Sequence, residues 1–193
     1  TRRKFFGTLY NTYSFFSLYA NVDGFRFEEE EIPMHDRPEI DRWILSLLIT
    51  LIKEVRQAYD NCEPTRAGRL IQNFVIEDLS NWYVRLNRKR FWGGEYNRDK
   101  IAAYQTLYSC LETVAILTSP VAPFYSDLLF RDLVEVSGKY KEESVHLVYL
   151  PDYNQAVIDK DLEEQMLIAQ KVSSMILSLR RKVNLKVRQP LSK

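Results

Sequence analysis

Apolar residues recur along this chain at spacings of three and four, the period of helices that bury one face. Phe5, Phe6, Leu9, Tyr10, Tyr13, Phe16 and Ser17 keep that spacing and predict a first helix over about 2–20. Asn21 to Pro38 then reads as a connector, with Asp23-Gly24 and an acidic run from Glu28 to Glu31 expected to be a solvated face. A second helix starts near Arg37-Pro38-Glu39, where proline suits the first turn. Its stripe is Ile40, Trp43, Ile44, Leu47, Leu48, Leu51, Ile52 and Val55, and it ends near Asn61. A third runs from Pro64 to about Phe91, with Ala67, Leu70, Ile71, Phe74, Val75, Leu79, Trp82 and Leu86 on its buried side, and Gly93-Gly94 breaks it. Asn97, a good cap, opens a fourth helix to Ser119, striped by Ile101, Tyr104, Leu107, Tyr108, Leu111, Val114 and Ala115. Pro120 to Phe124 turns the chain into a shorter fifth helix reaching about Val136. Residues 137–154 are the least helical; Val145, Leu147 and Tyr149 alternate with their neighbours and allow a short extended piece. A last helix covers about 159–183, with Leu162, Met166, Ala169, Val172, Ile176 and Leu179 as its stripe, before an irregular tail.

Six helices on short connections predict an all-α antiparallel bundle with an irregular or extended segment near 140–152. The 193 residues suit one domain: a main bundle over about 2–136, a connector over 137–158, and a last helix with a basic tail over 159–193. Hydrophobic residues make up 46 %, enough for a core, while Gly and Pro number only 6 and 7, which fits long helices. The two cysteines, Cys62 and Cys110, form neither a metal spacing nor a disulfide framework, so a reducing cytoplasm is expected. His35 and His146 lie far apart, which argues against a histidine metal site. No apolar run is long enough to span a membrane. The start, Thr1-Arg2-Arg3-Lys4-Phe5-Phe6, has neither an initiator Met nor a signal-peptide pattern and is expected to be mid-helix in a longer protein.

A net charge of +1 gives no global signature of nucleic-acid binding, so that chemistry must come from local clustering. The stretch Asn81-Trp82-Tyr83-Val84-Arg85-Leu86-Asn87-Arg88-Lys89-Arg90-Phe91-Trp92 supplies it, with four cations in its last eight residues. At about 100° per residue, Asn81, Arg85, Arg88 and Trp92 share one strip. Guanidinium groups meet phosphates in a fork, and flat rings stack on splayed loop bases. Arg85, Arg88, Lys89 and Arg90 are therefore candidate RNA contacts, with Trp92 a stacking candidate. The same cations also complement a helix C-terminus, and the tryptophans also suit a core. Arg180-Arg181-Lys182, followed by Lys186, Arg188 and Lys193, is a second basic region; Lys186 and Arg188 are its RNA candidates, and a helix end with a loose tail is its other explanation. No Gly-rich phosphate loop and no nucleophile–His arrangement occurs, so no catalytic or metal residue is assigned.

These residues resemble a known family. Asn81-Trp82-Tyr83-Val84-Arg85 through Arg88-Lys89-Arg90-Phe91-Trp92 resembles the signature helix of isoleucyl-tRNA synthetases, notably the subgroup shared by eukaryotes and some bacteria. Asp41-Arg42-Trp43-Ile44-Leu45 resembles a helix start upstream in the same enzymes, and Ser119-Pro120-Val121-Ala122-Pro123-Phe124 their proline break. Glu143-Ser144-Val145-His146-Leu147 and Asn184-Leu185-Lys186-Val187-Arg188-Gln189-Pro190-Leu191 resemble two further family segments and point to the isoleucine members. The resemblance covers nearly the whole chain. It implies a helical anticodon-binding domain that grips the anticodon stem-loop of isoleucine tRNA. In such enzymes a catalytic domain of the same protein uses ATP and Mg²⁺ to charge the tRNA, and an inserted domain hydrolyses mischarged valine. No His-Ile-Gly-His-like or Lys-Met-Ser-Lys-Ser-like motif stands in this sequence, so no ligase activity is expected from these residues alone. Asp41 and Arg42 are expected to fix the second helix, with Arg42 a further RNA candidate. Two other classes remain open: a structural or protein-interaction bundle without RNA binding, and an unrelated small helical enzyme.

Overall fold

A computed structural model describes residues 2–190; Leu191 and Lys193 of the tail lie outside the described residues. The helices are α1 (Gly7–Asp23), which continues from a π-helical start (Arg2–Phe6), α2 (Glu39–Asp60), α3 (Pro64–Asn73), α4 (Arg85–Trp92), α5 (Arg98–Thr118), α6 (Pro123–Ser137) and α7 (Lys160–Lys182). The chain divides into two compact units, Thr1–Ile158 and Asp159–Lys193.

Local chemistry sets the helix ends of the first unit. Gly24 ends α1 in the left-handed region at φ 73°, its N–H donating to the Ala20 carbonyl. Pro38 precedes α2, and Glu39 and Asp41 in the first turn complement the helix dipole. Pro64 begins α3 where its missing N–H costs nothing. Asn97 caps α5 by accepting from the Lys100 N–H at 3.0 Å, as its sequence predicts.

The core gathers on α5, which touches α1, α2, α3, α4 and α6. Almost every residue from Ala102 to Thr118 is buried, so this helix is covered all round rather than on one stripe. Trp43, Ile44, Leu48, Leu51, Ile52 and Val55 of α2 are buried as their spacing predicts. Directions follow from contacts between distant residues. Asp41, at the start of α2, meets Tyr83 and Arg90 near the end of the third helical rod. Tyr59, at the end of α2, donates to the Leu117 carbonyl near the end of α5 at 2.8 Å. So α2 is antiparallel to the rod that follows it, and the rod is antiparallel to α5.

That rod is not the regular helix its periodicity predicts. Phe74–Val84, between α3 and α4, is wound as a π-helix, in which i→i+5 bonding places more residues in each turn. Within it Val75, Leu79 and Tyr83 are buried at intervals of four, and Asn87 and Phe91 carry the series on into α4. Leu86, expected in the core, is 54 % exposed, and Trp82 is only half-buried. Tyr83, absent from the expected stripe, is fully buried.

The extended piece allowed near 145–150 is a short 3₁₀ turn, Val145–Leu147. Asp127 accepts from the Ser144 hydroxyl at 2.6 Å and the Val145 N–H at 3.1 Å, so side chains satisfy this backbone without a ladder. Val145 is buried there, while Leu147 and Tyr149 face solvent.

The second unit is α7 with its tail. Asp159 caps the helix at the Leu162 N–H, 3.0 Å away. The expected buried stripe is open: Val172, Ile176 and Leu179 are 48 %, 51 % and 59 % exposed.

Candidate nucleic-acid interface

The π-helical stretch hands over to α4, and α4 carries the cations. Arg85, Arg88 and Lys89 are exposed, and Trp92 is 55 % exposed. Arg85, Arg88 and Trp92 follow one another at three and four residues and so share a face. At 1.5 Å of rise per residue they span about 10 Å of helix edge. No ion pair or side-chain hydrogen bond ties Arg85, Arg88 or Lys89 to another described residue. Asn81, one turn earlier, is exposed and donates to Glu77 at 3.2 Å. Phe91 and Asn87 form the opposite face, against the core. Gly93, extended, stops the helix and leaves Trp92 at its end.

Arg90 has a different position from its three neighbours. Expected among the RNA contacts, it turns inward, with a side chain only 16 % exposed. Its Nη1 and Nη2 donate to Asp41 Oδ1 and Oδ2 at 2.8 and 2.9 Å. Its Nε and Nη2 reach Asp99 Oδ2 and Oδ1, both at 2.9 Å. Nη2 also donates to the Asp99 carbonyl at 2.8 Å, and Nη1 to Asn87 Oδ1 at 3.0 Å. The physical reason is Asp41: a carboxylate with no exposed side-chain surface needs a paired cation. The Tyr83 hydroxyl adds a further donor to it at 2.7 Å. Burial pulls the Arg90 pKa down, but hydrogen bonding to Asp41 and its charge outweigh that and hold the guanidinium firmly charged. Burial first, then the Asp41 charge, pushes the Tyr83 hydroxyl well above its usual range, so it stays a donor.

Asp41 fixes the start of α2, as expected from its place in the sequence. Arg42 is half-buried, and its Nε is buried without a hydrogen-bond partner among the described residues. Asp99, Asn87 and the Tyr83 hydroxyl complete the network and carried no signal in the sequence. An acid in a helix's first turn and a tyrosine in an apolar stripe both have commoner explanations.

Lys186 and Arg188, also expected at the interface, belong to the second unit and are exposed. Arg180 Nη1 donates to the carbonyls of Lys186 and Gln189 at 2.8 and 2.9 Å, which folds the tail back on the end of α7. Among the described residues, no group of three or more His, Cys, Asp or Glu is placed to hold a metal ion. No described helix is long and apolar enough to cross a membrane.

Comparison with known proteins places this geometry in context. The family described as the anticodon-binding domain of tRNA ligase matches residues 41–193. An isoleucine–tRNA ligase of Bacteroides fragilis is 66 % identical over 190 residues, covering 98 % of this chain and 17 % of the relative. One of Cytophaga hutchinsonii is 63 % identical over 192 residues, covering 100 % of this chain and 17 % of its own length. One of Dehalococcoides mccartyi is 47 % identical over 190 residues, covering 98 % and 18 %. The chain thus spans about a sixth of the length of these relatives.

Proposed function

Because the chain belongs to the anticodon-binding domain family of tRNA ligases, we propose that the exposed edge of α4 grips the anticodon stem-loop of isoleucine tRNA. The observation that carries this is one helix face on which Arg85 and Arg88, free of ion pairs with described residues, stand beside the 55 % exposed indole of Trp92. Lys89 adds charge at the same edge. The arginines meet loop phosphates, and Trp92 stacks on an unpaired base, a contact worth about 1–3 kcal/mol. Lys186 and Arg188 form a second patch for the same RNA. Isoleucine specificity is supported by relatives at 47 % to 66 % identity that carry that name.

The whole protein, in this reading, is a cytoplasmic isoleucine–tRNA ligase that joins isoleucine to its tRNA with ATP and Mg²⁺. The catalytic domain of the same protein is the partner that handles those substrates. This chain's share is recognition and alignment of the tRNA.

Filter binding of the chain with an anticodon hairpin of isoleucine tRNA tests the reading. Arg85→Ala with Arg88→Ala should weaken binding and lower the slope of log K against log salt by about 0.7–0.9 per lost phosphate contact. Equal affinity and equal slope in the double variant would reject this edge.

A further inference from the structure

We propose that Arg90 is a positioning residue rather than an RNA contact: held between Asp41 and Asp99, it fixes the angle at which α4 presents Arg85, Arg88, Lys89 and Trp92. This inference rests on the RNA reading above and deepens it.

The hydrogen-bond count comes first. A guanidinium has five N–H donors in a rigid fork. All three Arg90 nitrogens are engaged, with Asp41, Asp99 and Asn87. A phosphate would have to displace either Asp41, which has no exposed side-chain surface, or the half-exposed Asp99, which holds Nε and Nη2 at 2.9 Å. It would also approach two carboxylates that together outweigh the single cation between them, an unfavourable field for an anion.

The second argument is the mechanical setting. α4 has eight residues. On one side lies the eleven-residue π-helical stretch. On the other lie Gly93 and Gly94, the latter in the left-handed region at φ 76°. The rod is continuous through Val84 and Arg85 on the first side but breaks at the glycines on the second, so tertiary contacts on α4 itself, the buried Asn87 and Phe91 and the Arg90 network, help to set its direction. Asp41 and Asp99 come from α2 and from the first turn of α5, so Arg90 joins three helices at one point. An edge ordered before binding loses less freedom when RNA docks.

The test uses the same hairpin and this chain, read by anisotropy of labelled RNA across a salt series and by amide exchange over residues 85–92. Asp99→Asn is the principal variant, because Asp99 is half-exposed and its loss leaves the core intact. Arg90→Gln is the second, and Tyr59→Phe, which loses only its bond to the Leu117 carbonyl, is a control for general destabilisation. Positioning predicts that Asp99→Asn weakens binding by about tenfold with the salt slope unchanged. It also predicts faster exchange over α4, and no change in affinity for Tyr59→Phe. A direct contact predicts the opposite sign, since removing a negative charge and freeing the guanidinium would tighten binding. Tighter or equal binding in Asp99→Asn, or a slope lowered by about 0.7–0.9 in Arg90→Gln, would overturn the positioning role. A hairpin that fails to bind the unsubstituted chain would overturn the RNA reading and this inference with it. Good binding by the unsubstituted chain and equal binding by Asp99→Asn would overturn this inference alone.

Discussion

Arg88 and Arg90 stand two residues apart on the same short helix and have the same side chain, yet they face opposite problems. Arg88 is exposed, whereas Arg90 compensates Asp41, whose carboxylate has no contact with water. Breaking a buried pair leaves an uncompensated charge and costs about 3–5 kcal/mol, whereas an exposed substitution usually stays within about 0.5 kcal/mol. Urea denaturation should therefore show a large loss for Arg90→Ala and almost none for Arg88→Ala. Similar losses in the two variants would contradict the network. In the sequence, Arg85, Arg88, Lys89 and Arg90 form one charge run, and nothing local separates them. The distinction depends on Asp41, forty-nine residues away, and on Asp99 across the Gly93-Gly94 break. Local periodicity does not encode such pairings.

Among the elements, α2, α5 and α6 follow their punctuation closely, because Pro38, Asn97 and Pro123 act within a turn of where they stand. The rod from Pro64 to Trp92 shows where that logic fails. Its existence and ends were legible, but its phase was not, since no residue type marks a widened turn. Leu86 and Leu79 provide a direct check on the phase. Leu79 has no exposed surface, and Leu79→Ala should cost about 2–5 kcal/mol. Leu86, though equally apolar, should lose less than about 0.5 kcal/mol on the same change. Comparable losses in thermal melts would mean that the stripe advances in the ordinary way. The segment after α6 carries a related lesson: its alternation suggests a strand, but no described partner strand exists, and the Val145 and His146 N–H groups donate to the Asp127 and Ser144 side chains instead. In α7 the stripe is legible but open, which no pattern within one helix could reveal.

Across the whole molecule the first unit alternates direction, and tyrosines tie its helices together. The Tyr13 hydroxyl donates to Asp132 of α6 at 3.2 Å, and Tyr104 to Asp23 at the end of α1 at 2.5 Å. Burial, with the Asp132 charge as the next cause, pushes Tyr13 up from 10.0 to about 12, and burial alone does the same for Tyr59. Burial also leads the rise to about 12 at Tyr125 and Tyr140. The sign follows from linkage. An unfolded tyrosine loses its proton near pH 10 while the folded one keeps it, so stability is full below pH 10 and falls as pH climbs towards 12. Alkaline titration should show a late, steep component of tyrosinate absorbance from these buried tyrosines, together with loss of helical circular dichroism. A titration complete near pH 10, with no late component and the helices intact, would contradict this. The wide-turned segment of the rod has a consequence for evolution as well. Each residue inserted or deleted between Leu79 and Tyr83 would swing everything downstream by roughly a quarter turn. A single gap there would carry Arg85 and Arg88 away from solvent and bring charge against α5. Descendants of this gene can exchange letters along that stretch, but they can hardly change how many there are.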